Sequence, residues 1–581
     1  MQVSEFLVSV FQAIQIRTAF SLVGGMAMHI NRATHDSGIR ITYCNHEQAV
    51  VAATEGYVKA DGFERPGLAI VTSGPGVTNT VTSLTSAFYD SVPMYLISGQ
   101  VKTADINRFG VRSFGAQEVP HLDLLRPITK LSFQYDPQHV SLGQLAANLA
   151  LAMTGRKGPV HIDVPLDVQS RDVMQPNDVD TVVRQYQKII DADALGDVTV
   201  PTALITALQN ARRPVCVLGN ALKIAAVPHA QILELMDHLG IPCLFTWASM
   251  DLVDDDHPMN FGCAGGLAGV HSNTILQHAD CIVFLGTRLD LLTTGYQPAA
   301  YGKNAERFVF ECDPAERAKL AGMPKTTVVP ADVRGAVRAL LALARRPDGT
   351  AWVERCTQWR DENNIQEAQE FSEPRLNSFH VARLISAGAA TRYVVPTASG
   401  FAIEGFARFY KTTRGSKFSW AGHVLGSMGL ALPSAIGASV RTESCVACID
   451  GDGGFLLNVQ ELYTLKANPH LGIAIFILNN RGYASIVNSQ SRAFSAVFGA
   501  DASSGLTTIQ FEPLAHLADL HYVQCTTVAE LQEVIATIQP DSRMLIDVML
   551  EDDGYRGPAI STKFDAQGRP YSTQLEDVAW R

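Results

Sequence analysis

Residues Cys448–Ser485 read CIDGDGGFLLNVQELYTLKANPHLGIAIFILNNRGYAS, and the order of events along this stretch decides the fold class. A strand-like apolar run, Val446–Ile449, leads into Asp450-Gly451-Asp452-Gly453-Gly454. Phe455, Leu456, Val459, Leu462 and Leu465 then recur at close to 3.6-residue spacing, which predicts a helix with these side chains on one face. A second apolar run, Ile473–Leu478, stops at Asn479-Asn480. Strand, glycine turn, helix, strand and polar turn make one βαβ unit. Its two turns fall at the C-terminal ends of neighbouring parallel strands, where open α/β sheets bind ligands.

The residue types in those turns narrow the ligand. Gly453 and Gly454 let backbone N–H groups approach an anion at a helix N-terminus. Asp452 repels a phosphate unless a divalent cation lies between them, and Asn480 offers a neutral oxygen to the same ion. A carboxylate, an amide oxygen, a backbone carbonyl and ligand phosphates suit octahedral Mg²⁺. A lone GDG is accounted for by an ordinary βαβ unit. GDG, 25 residues and then NN, with the right elements between them, asks for more.

At 581 residues the chain has room for roughly three or four domains. A hydrophobic fraction of 47% with 18% charged residues describes a well-cored globular protein. The net charge of −11 argues against nucleic acid or an anionic membrane as a partner. No apolar run approaches the ~20 residues of a membrane span. The first 20 residues, with Glu5 early, read as an amphipathic helix and not as a signal peptide. Ten scattered cysteines suit reduced core thiols in a cytoplasmic protein. Cys445 and Cys448 match CxxC, but residues three apart on a strand face opposite sides and share no metal.

Residues 1–170 repeat an α/β rhythm. Strands are expected at Phe20–Val23, ending in Gly24-Gly25, and at Ile39–Cys44, ending in Asn45-His46-Glu47-Gln48 before a helix over 49–60. Two more are expected at Leu68–Val71, closed by TSGPGVTN (72–79), and at Pro93–Ser98, before a loop through Gln117-Glu118. Glu47 draws notice because desolvation after a buried strand favours a carboxylate that holds a proton. A helix N-terminal Glu stabilised by the helix dipole is the plainer explanation. Residues 171–195, polar and rich in Asp and Gln, read as a linker. A second α/β block over 196–344 has strands at Val215–Leu218 and Cys281–Leu285. A charged connector (345–364) leads to a third block over 371–555.

The segments NHEQAVVAATEGYVKADG, VTSGPGVTNTVTSLTSAFYDSVPMYLISGQV, GAQEVPHLDLLRPITK and RKGPVHIDVPLDVQ resemble the pyrimidine-binding domain of the acetolactate synthase family. The likeness continues through GSMGLALPSAIGA and the GDG…NN stretch. It implies three doubly wound parallel α/β domains: pyrimidine-binding, central and diphosphate-binding. It also implies thiamine diphosphate (ThDP) and Mg²⁺ as cofactors. Glu47 would exchange a proton with the aminopyrimidine, and Gln117 would join it at the reacting centre. Gly24, Gly25, Gly74, Pro75, Asn79, Gly400, Gly426, Ser427, Met428, Gly453, Gly454 and Tyr483 would line the cofactor. Asp452, Asn480 and Gly482 would hold the metal, and Met428 would prop the cofactor in its bent shape. The activity implied is decarboxylation of a 2-keto acid, pyruvate first among them, with ligation of the two-carbon unit to a carbonyl acceptor. The family's two-fold assembly implies a homodimer or homotetramer.

Departures from the family pattern matter as much. PVCVLGNA, FGCAGGLAG, LGTRLD and FECDPAE resemble a central domain that holds FAD in a structural role. However, GTRLDLLTTG (286–295) has lost an acid and a base, so FAD is an open expectation. Gly400-Phe401-Ala402-Ile403 replaces a Gly-Gln-His-Gln diphosphate grip. Ala116, Ser485 and Ser489 stand where the family has phenylalanine, methionine and tryptophan. That leaves three readings: acetolactate synthesis, ligation to a larger acceptor such as a keto-sugar nucleotide, or a non-catalytic binding relative. A plain decarboxylase fits less well, because Arg112–Gln117 lacks that group's paired histidines. The tail from 556 to 581 is long enough to fold over the site as a lid.

Overall fold

The computed structural model describes the whole chain except residues 194–195, 197, 346–349, 372–375, 389–391, 414, 508, 552–556, 559, 561, 568 and 581. The boundary between the third block and the tail, at 555–556, lies outside the described residues. Three six-stranded sheets, each parallel throughout, carry the fold. Across the first, the strands run Arg40–Tyr43, Thr18–Ser21, Gly67–Val71, Met94–Gln100, Pro159–Pro165 and Leu131–Gln134. The third runs Lys417–Phe418, Tyr393–Pro396, Val446–Gly451, Ile473–Asn479, Arg543–Met549 and His521–Cys525. The central one runs Thr326–Pro330, Glu306–Glu311, Cys281–Leu285, Pro214–Leu218, Cys243–Phe245 and Asn260–Cys263.

Central strands such as MYLISGQ (94–100) and IAIFILN (473–479) are buried at every position, because helices cover both faces of each sheet. Along Val446–Gly451, Val446 and Cys448 pack into one core while Cys445 and Ala447 pack into the other. The two thiols therefore sit on opposite faces, as the strand period requires.

In each sheet the strand order reverses between two neighbouring strands, opening a crevice at their C-terminal edge. Thr18–Ser21 and Gly67–Val71 flank the first, Pro214–Leu218 and Cys281–Leu285 the central one, and Tyr393–Pro396 and Val446–Gly451 the third.

Three local expectations need correction. The stretch expected as a linker is an 18-residue helix, Pro176–Asp193, that buries Val182 and Tyr186 against the first domain. The charged connector is likewise mostly helix, Thr350–Glu370, with Trp352 and Cys356 buried. Its polar residues line an exposed face, which is why composition suggested a linker. The helix expected after Asp452 is broken into a turn at Asp452–Phe455, a 3₁₀ turn at Leu456–Asn458 and a helix at Glu461–Ala467. The tighter 3₁₀ turn rotates Leu456 off the apolar face, leaving it 38% exposed.

Helices Glu47–Ala60 and Ala431–Thr442 join the first domain to the third. A Cβ on Gly437 would lie 1.8 Å from the Ala53 carbonyl oxygen, and one on Gly56 would lie 2.0 Å from that of Ser434. Only glycine permits this approach, and the paired contacts make the helices antiparallel. Lys59, buried nearby, bonds Glu55 at 2.6 Å, Asp90 at 2.7 Å and the Trp420 carbonyl at 2.8 Å. Burial opposes its charge, but the two carboxylates hold its pKa above the ordinary value.

Candidate active site

The first crevice closes tightly. A Cβ on Gly24 would lie 2.5 Å from Thr72, so the turn after Thr18–Ser21 presses against the one after Gly67–Val71. Gly25, by contrast, has open space where a side chain would stand. Glu47 opens its helix two residues earlier than expected, with His46 as N-cap accepting the Gln48 N–H at 3.1 Å. The Glu47 carboxylate is buried and accepts a hydrogen bond from Asn79 Nδ2 at 3.0 Å. Asn79 ends the single helical turn Pro75–Thr78, which starts at Gly74 with φ +63°. Gly74 also abuts the loop of Gln117: a Cβ there would lie 2.8 Å from the Gln117 carbonyl oxygen. Gln117 itself has φ +60° and is exposed, as is Ala116.

The third crevice gathers the other residues. Asp452 Oδ1 accepts from the Gly453 N–H and Oδ2 from the Gly482 N–H, each at 2.8 Å. Burial pushes its carboxyl up to about 6 despite those amides. Asp450 is pushed up to about 8, by burial first and then by the neighbouring Asp452. Asn480 Oδ1 and Asp450 Oδ2 are buried with no hydrogen-bond partner. Gly453 fits beneath Tyr483, whose ring a Cβ would meet at 2.3 Å. Gly482 (φ +153°) is pinned against strand-like Asp501, and a Cβ there would strike the Ala500 carbonyl oxygen.

Gly400 (φ +61°) begins the helix after Tyr393–Pro396, on the neighbouring strand end. A Cβ on Gly426 would reach the Ala398 carbonyl oxygen at 3.8 Å, and one on Gly454 would reach Met428 Cβ at the same distance. Ser427 Oγ donates to the Met428 carbonyl at 3.3 Å, and Met428 is 39% exposed, poised at the mouth rather than in the core. Two desolvated carboxyls, an unpartnered amide oxygen and a glycine pair form a donor set that suits a divalent cation and a diphosphate.

The two crevices do not face each other within one chain. Glu47 lies six residues before Ala53, while the antiparallel partner helix begins at Ala431, six before Gly437, with Met428 three residues further out. At ~1.5 Å per residue they are separated by on the order of 20 Å along the shared axis.

The central crevice holds a different cavity. A Cβ on Gly219 would lie 2.2 Å from the Gly286 carbonyl oxygen, so two backbones meet at its floor. Asn220 Oδ1, Thr287 Oγ1 and His423 Nε2 are buried and unpartnered along its walls. Glu311 ends its strand there, and burial raises its carboxyl above the ordinary range. These groups fit a dinucleotide, whose ribose a strand-end carboxylate binds. A second lobe of about 400 Å³ shares Asp90, Asn220, Ala248 and His423 with it.

The tail packs on this central domain. Gln297 Nε2 donates to the Ser572 carbonyl at 2.6 Å, Leu575 is buried beside Gly295, and Trp580 Nε1 donates to Asn363 Oδ1 at 2.9 Å. No helix among the described residues is long and apolar enough to cross a membrane.

Three parallel six-stranded sheets with glycine-rich turns at their crevices are the architecture of a three-domain thiamine pyrophosphate enzyme. Family models agree in three blocks: the N-terminal TPP binding domain over residues 1–123, the central domain over 202–340 and the C-terminal TPP binding domain over 400–548. The chain is 30% identical over 503 residues to acetolactate synthase 2, chloroplastic, of Nicotiana tabacum, covering 85% of this chain and 73% of the relative. It is 28% identical over 558 residues to the acetolactate synthase isozyme 2 large subunit of Escherichia coli (strain K12), covering 95% and 94%. Against the acetolactate synthase large subunit of Lactococcus lactis subsp. lactis (strain IL1403), identity is 27% over 569 residues, covering 96% and 94%. The chain belongs to the acetolactate synthase family of thiamine pyrophosphate enzymes.

Two residues beneath the first crevice were not singled out from sequence, His121 in VPHLDLL and Asp163 in HIDVPLD. His121 Nε2 accepts the Gly74 N–H at 3.2 Å, and His121 Nδ1 lies 2.8 Å from Asp163 Oδ1. Both are buried, and a histidine and an aspartate in apolar strand-like runs were the available signal.

Proposed function

We propose that the enzyme decarboxylates a 2-keto acid, pyruvate being the simplest, and ligates the two-carbon unit to a carbonyl acceptor. The observation that carries this reading is the unpartnered Asn480 oxygen beside the desolvated Asp452 carboxylate, a pair that folding alone does not require. Asp452, Asn480 and the Gly482 carbonyl would hold Mg²⁺, and the Gly453 and Gly454 amides would receive the diphosphate. The bound ThDP supplies the carbon that takes up and passes on the two-carbon unit. Glu47 keeps one carboxylate oxygen on Asn79 and offers the other for proton exchange at the cofactor's pyrimidine. Gln117 projects from the loop held by Gly74 toward the reacting centre. Because Glu47 and Met428 are far apart in one chain, the site is completed between two copies, as a homodimer or dimer of dimers.

Two features refine the reading. Ala116, Ser485 and Ser489 are small, and Ser489 turns its Oγ back to the Ser485 carbonyl at 2.8 Å. That favours a larger or more polar acceptor than a second pyruvate, a hydroxylated carbonyl compound such as a keto sugar. The central crevice, with its three unpartnered polar atoms and Glu311, favours FAD as a bound structural group.

Incubation of the purified protein with ThDP, Mg²⁺, pyruvate and a panel of carbonyl acceptors, read by mass spectrometry, tests the activity. Carboligation products support it; CO₂ release and ligation both absent would leave a non-catalytic binding relative. Sedimentation showing an active monomer would overturn the shared site. A denatured sample that releases no flavin would remove FAD.

A further inference from the structure

Gly74 is the joint on which the first crevice depends. Its carbonyl accepts the Val77 and Thr78 N–H groups at 3.0 Å, and the Pro75 carbonyl accepts that of Asn79 at 3.0 Å. Asn79 in turn holds Glu47, and Gln117 packs its backbone on Gly74. The one remaining polar group of Gly74, its N–H, donates to His121 Nε2. An imidazole nitrogen that accepts carries no proton, so His121 carries its proton on Nδ1 and donates it to Asp163. Gln100 Nε2, 3.1 Å from the same Nδ1, is therefore a neighbour without a bond to it; it donates to the Val119 carbonyl at 3.2 Å.

Behind Asp163 the network is complete. Ser98 Oγ donates to Asp163 Oδ1 at 2.7 Å and Gln134 Nε2 to Oδ2 at 3.2 Å. His161, which burial holds neutral down to about 4, sits between Ser98 and Ser132 at 2.8 Å each. Burial opposes the Asp163 charge, yet the His121 and Ser98 bonds keep its carboxyl below the ordinary range.

We propose that His121, locked by Asp163, is a positioning residue that fixes the Gly74 turn and through it the placement of Glu47 and Gln117. It touches neither cofactor nor substrate. The inference rests on the proposed role of Glu47 in proton exchange with ThDP.

Two substitutions separate positioning from support of the fold. His121→Asn keeps a donor for Asp163, so no buried carboxylate is stranded, but its side chain is too short to reach Gly74. His121→Gln offers an N–H and a carbonyl oxygen about as far apart as the two ring nitrogens and restores both bonds. Amide hydrogen exchange of the peptide containing Gly74, in protein without cofactor, reads the turn itself. Hydrogen–deuterium exchange at C2 of bound ThDP reads Glu47.

His121→Asn is expected to unprotect the Gly74 amide and slow C2 exchange by about tenfold, the scale of a sub-ångström misplacement, at nearly unchanged ThDP affinity. His121→Gln is expected to restore both. A His121→Asn protein with wild-type amide protection and C2 exchange overturns the proposal, as does equal loss in both variants. Should His121→Asn not fold, His121→Gln decides alone: wild-type values support the proposal and loss of both refutes it. Wild-type protein without C2 exchange, or Glu47→Gln with undiminished exchange, would instead defeat the functional reading and leave the amide measurement to judge His121.

Discussion

In the first crevice Asn79 already holds one oxygen of Glu47 and His121 already accepts the Gly74 N–H, whereas in the third Asn480 Oδ1 and Asp450 Oδ2 are buried without partners. The two sheets share the same reversal of strand order and the same glycine-rich turns, so topology does not explain the difference. Chemistry does. Proton exchange at a pyrimidine needs a carboxylate in a fixed place, and protein hydrogen bonds can fix it. A diphosphate at the proposed site would need a cation between it and Asp452. Desolvated carboxyls at about 8 and about 6 mark the place where the cation's charge would do most.

The largest expected effect breaks the third crevice. Asp452→Ala or Asn480→Ala should abolish Mg²⁺-dependent ThDP binding in calorimetry, because the diphosphate loses its bridge. Unchanged affinity in both variants would remove the metal role from this turn. Breaking the first crevice should leave binding and stop chemistry. Glu47→Gln keeps the size and the Asn79 contact but not the exchangeable proton, so turnover should fall by roughly a hundredfold or more while ThDP still binds. Near-normal carboligation by this variant would reduce Glu47 to a helix-terminal residue.

A smaller effect concerns the opening between the crevices. A buried aromatic occupies about 150–250 Å² of contact surface, so Ala116→Phe should narrow the space for the acceptor. Pyruvate consumption should hold while preference for a large acceptor falls by about tenfold. Pyruvate alone giving acetolactate efficiently, with no gain from larger carbonyl compounds, would show that the opening has no such use.

The same contrast explains what was legible in the sequence. Asp452, Asn480 and the glycines around them stood out because the cation–diphosphate site proposed for them would draw on residue types that folding does not demand. The strands were legible for the reason that they are buried on both faces: Cys281–Leu285 spans its expected bounds. His121 and Asp163 were not legible, since they lie 42 positions apart and meet only once the first sheet is assembled. The Pro176–Asp193 helix was missed because its apolar face, Val182 and Tyr186 among it, is narrow against a polar majority. Leu456 was misassigned because a 3₁₀ turn breaks the period that placed it.

The smallest expected effect lies at the seam between the two crevices and is read in stability. Glu461, in the helix after the glycine turn, is fully buried and accepts the Asn45 N–H at 3.0 Å and the Thr464 hydroxyl at 2.6 Å. Asn45 stands two residues before Glu47, so this carboxyl fastens the first domain to the third. Burial pushes it up to about 7, with those hydrogen bonds acting the other way. The folded state therefore holds a proton that the unfolded state releases near its ordinary value of 4.5. Stability from this group is fully present below that value and is lost as pH rises through about 7. At about 1.4 kcal/mol per pH unit of displacement, the loss is at most about 3.5 kcal/mol. Glu461→Gln keeps an acceptor for Asn45 and never ionises. In urea titrations the variant should be more stable than wild type by about 1–3 kcal/mol at pH 8, with little difference near pH 4.5. A variant no more stable than wild type at pH 8 would mean that Glu461 ionises without cost, and that the seam is more open to water than its burial implies.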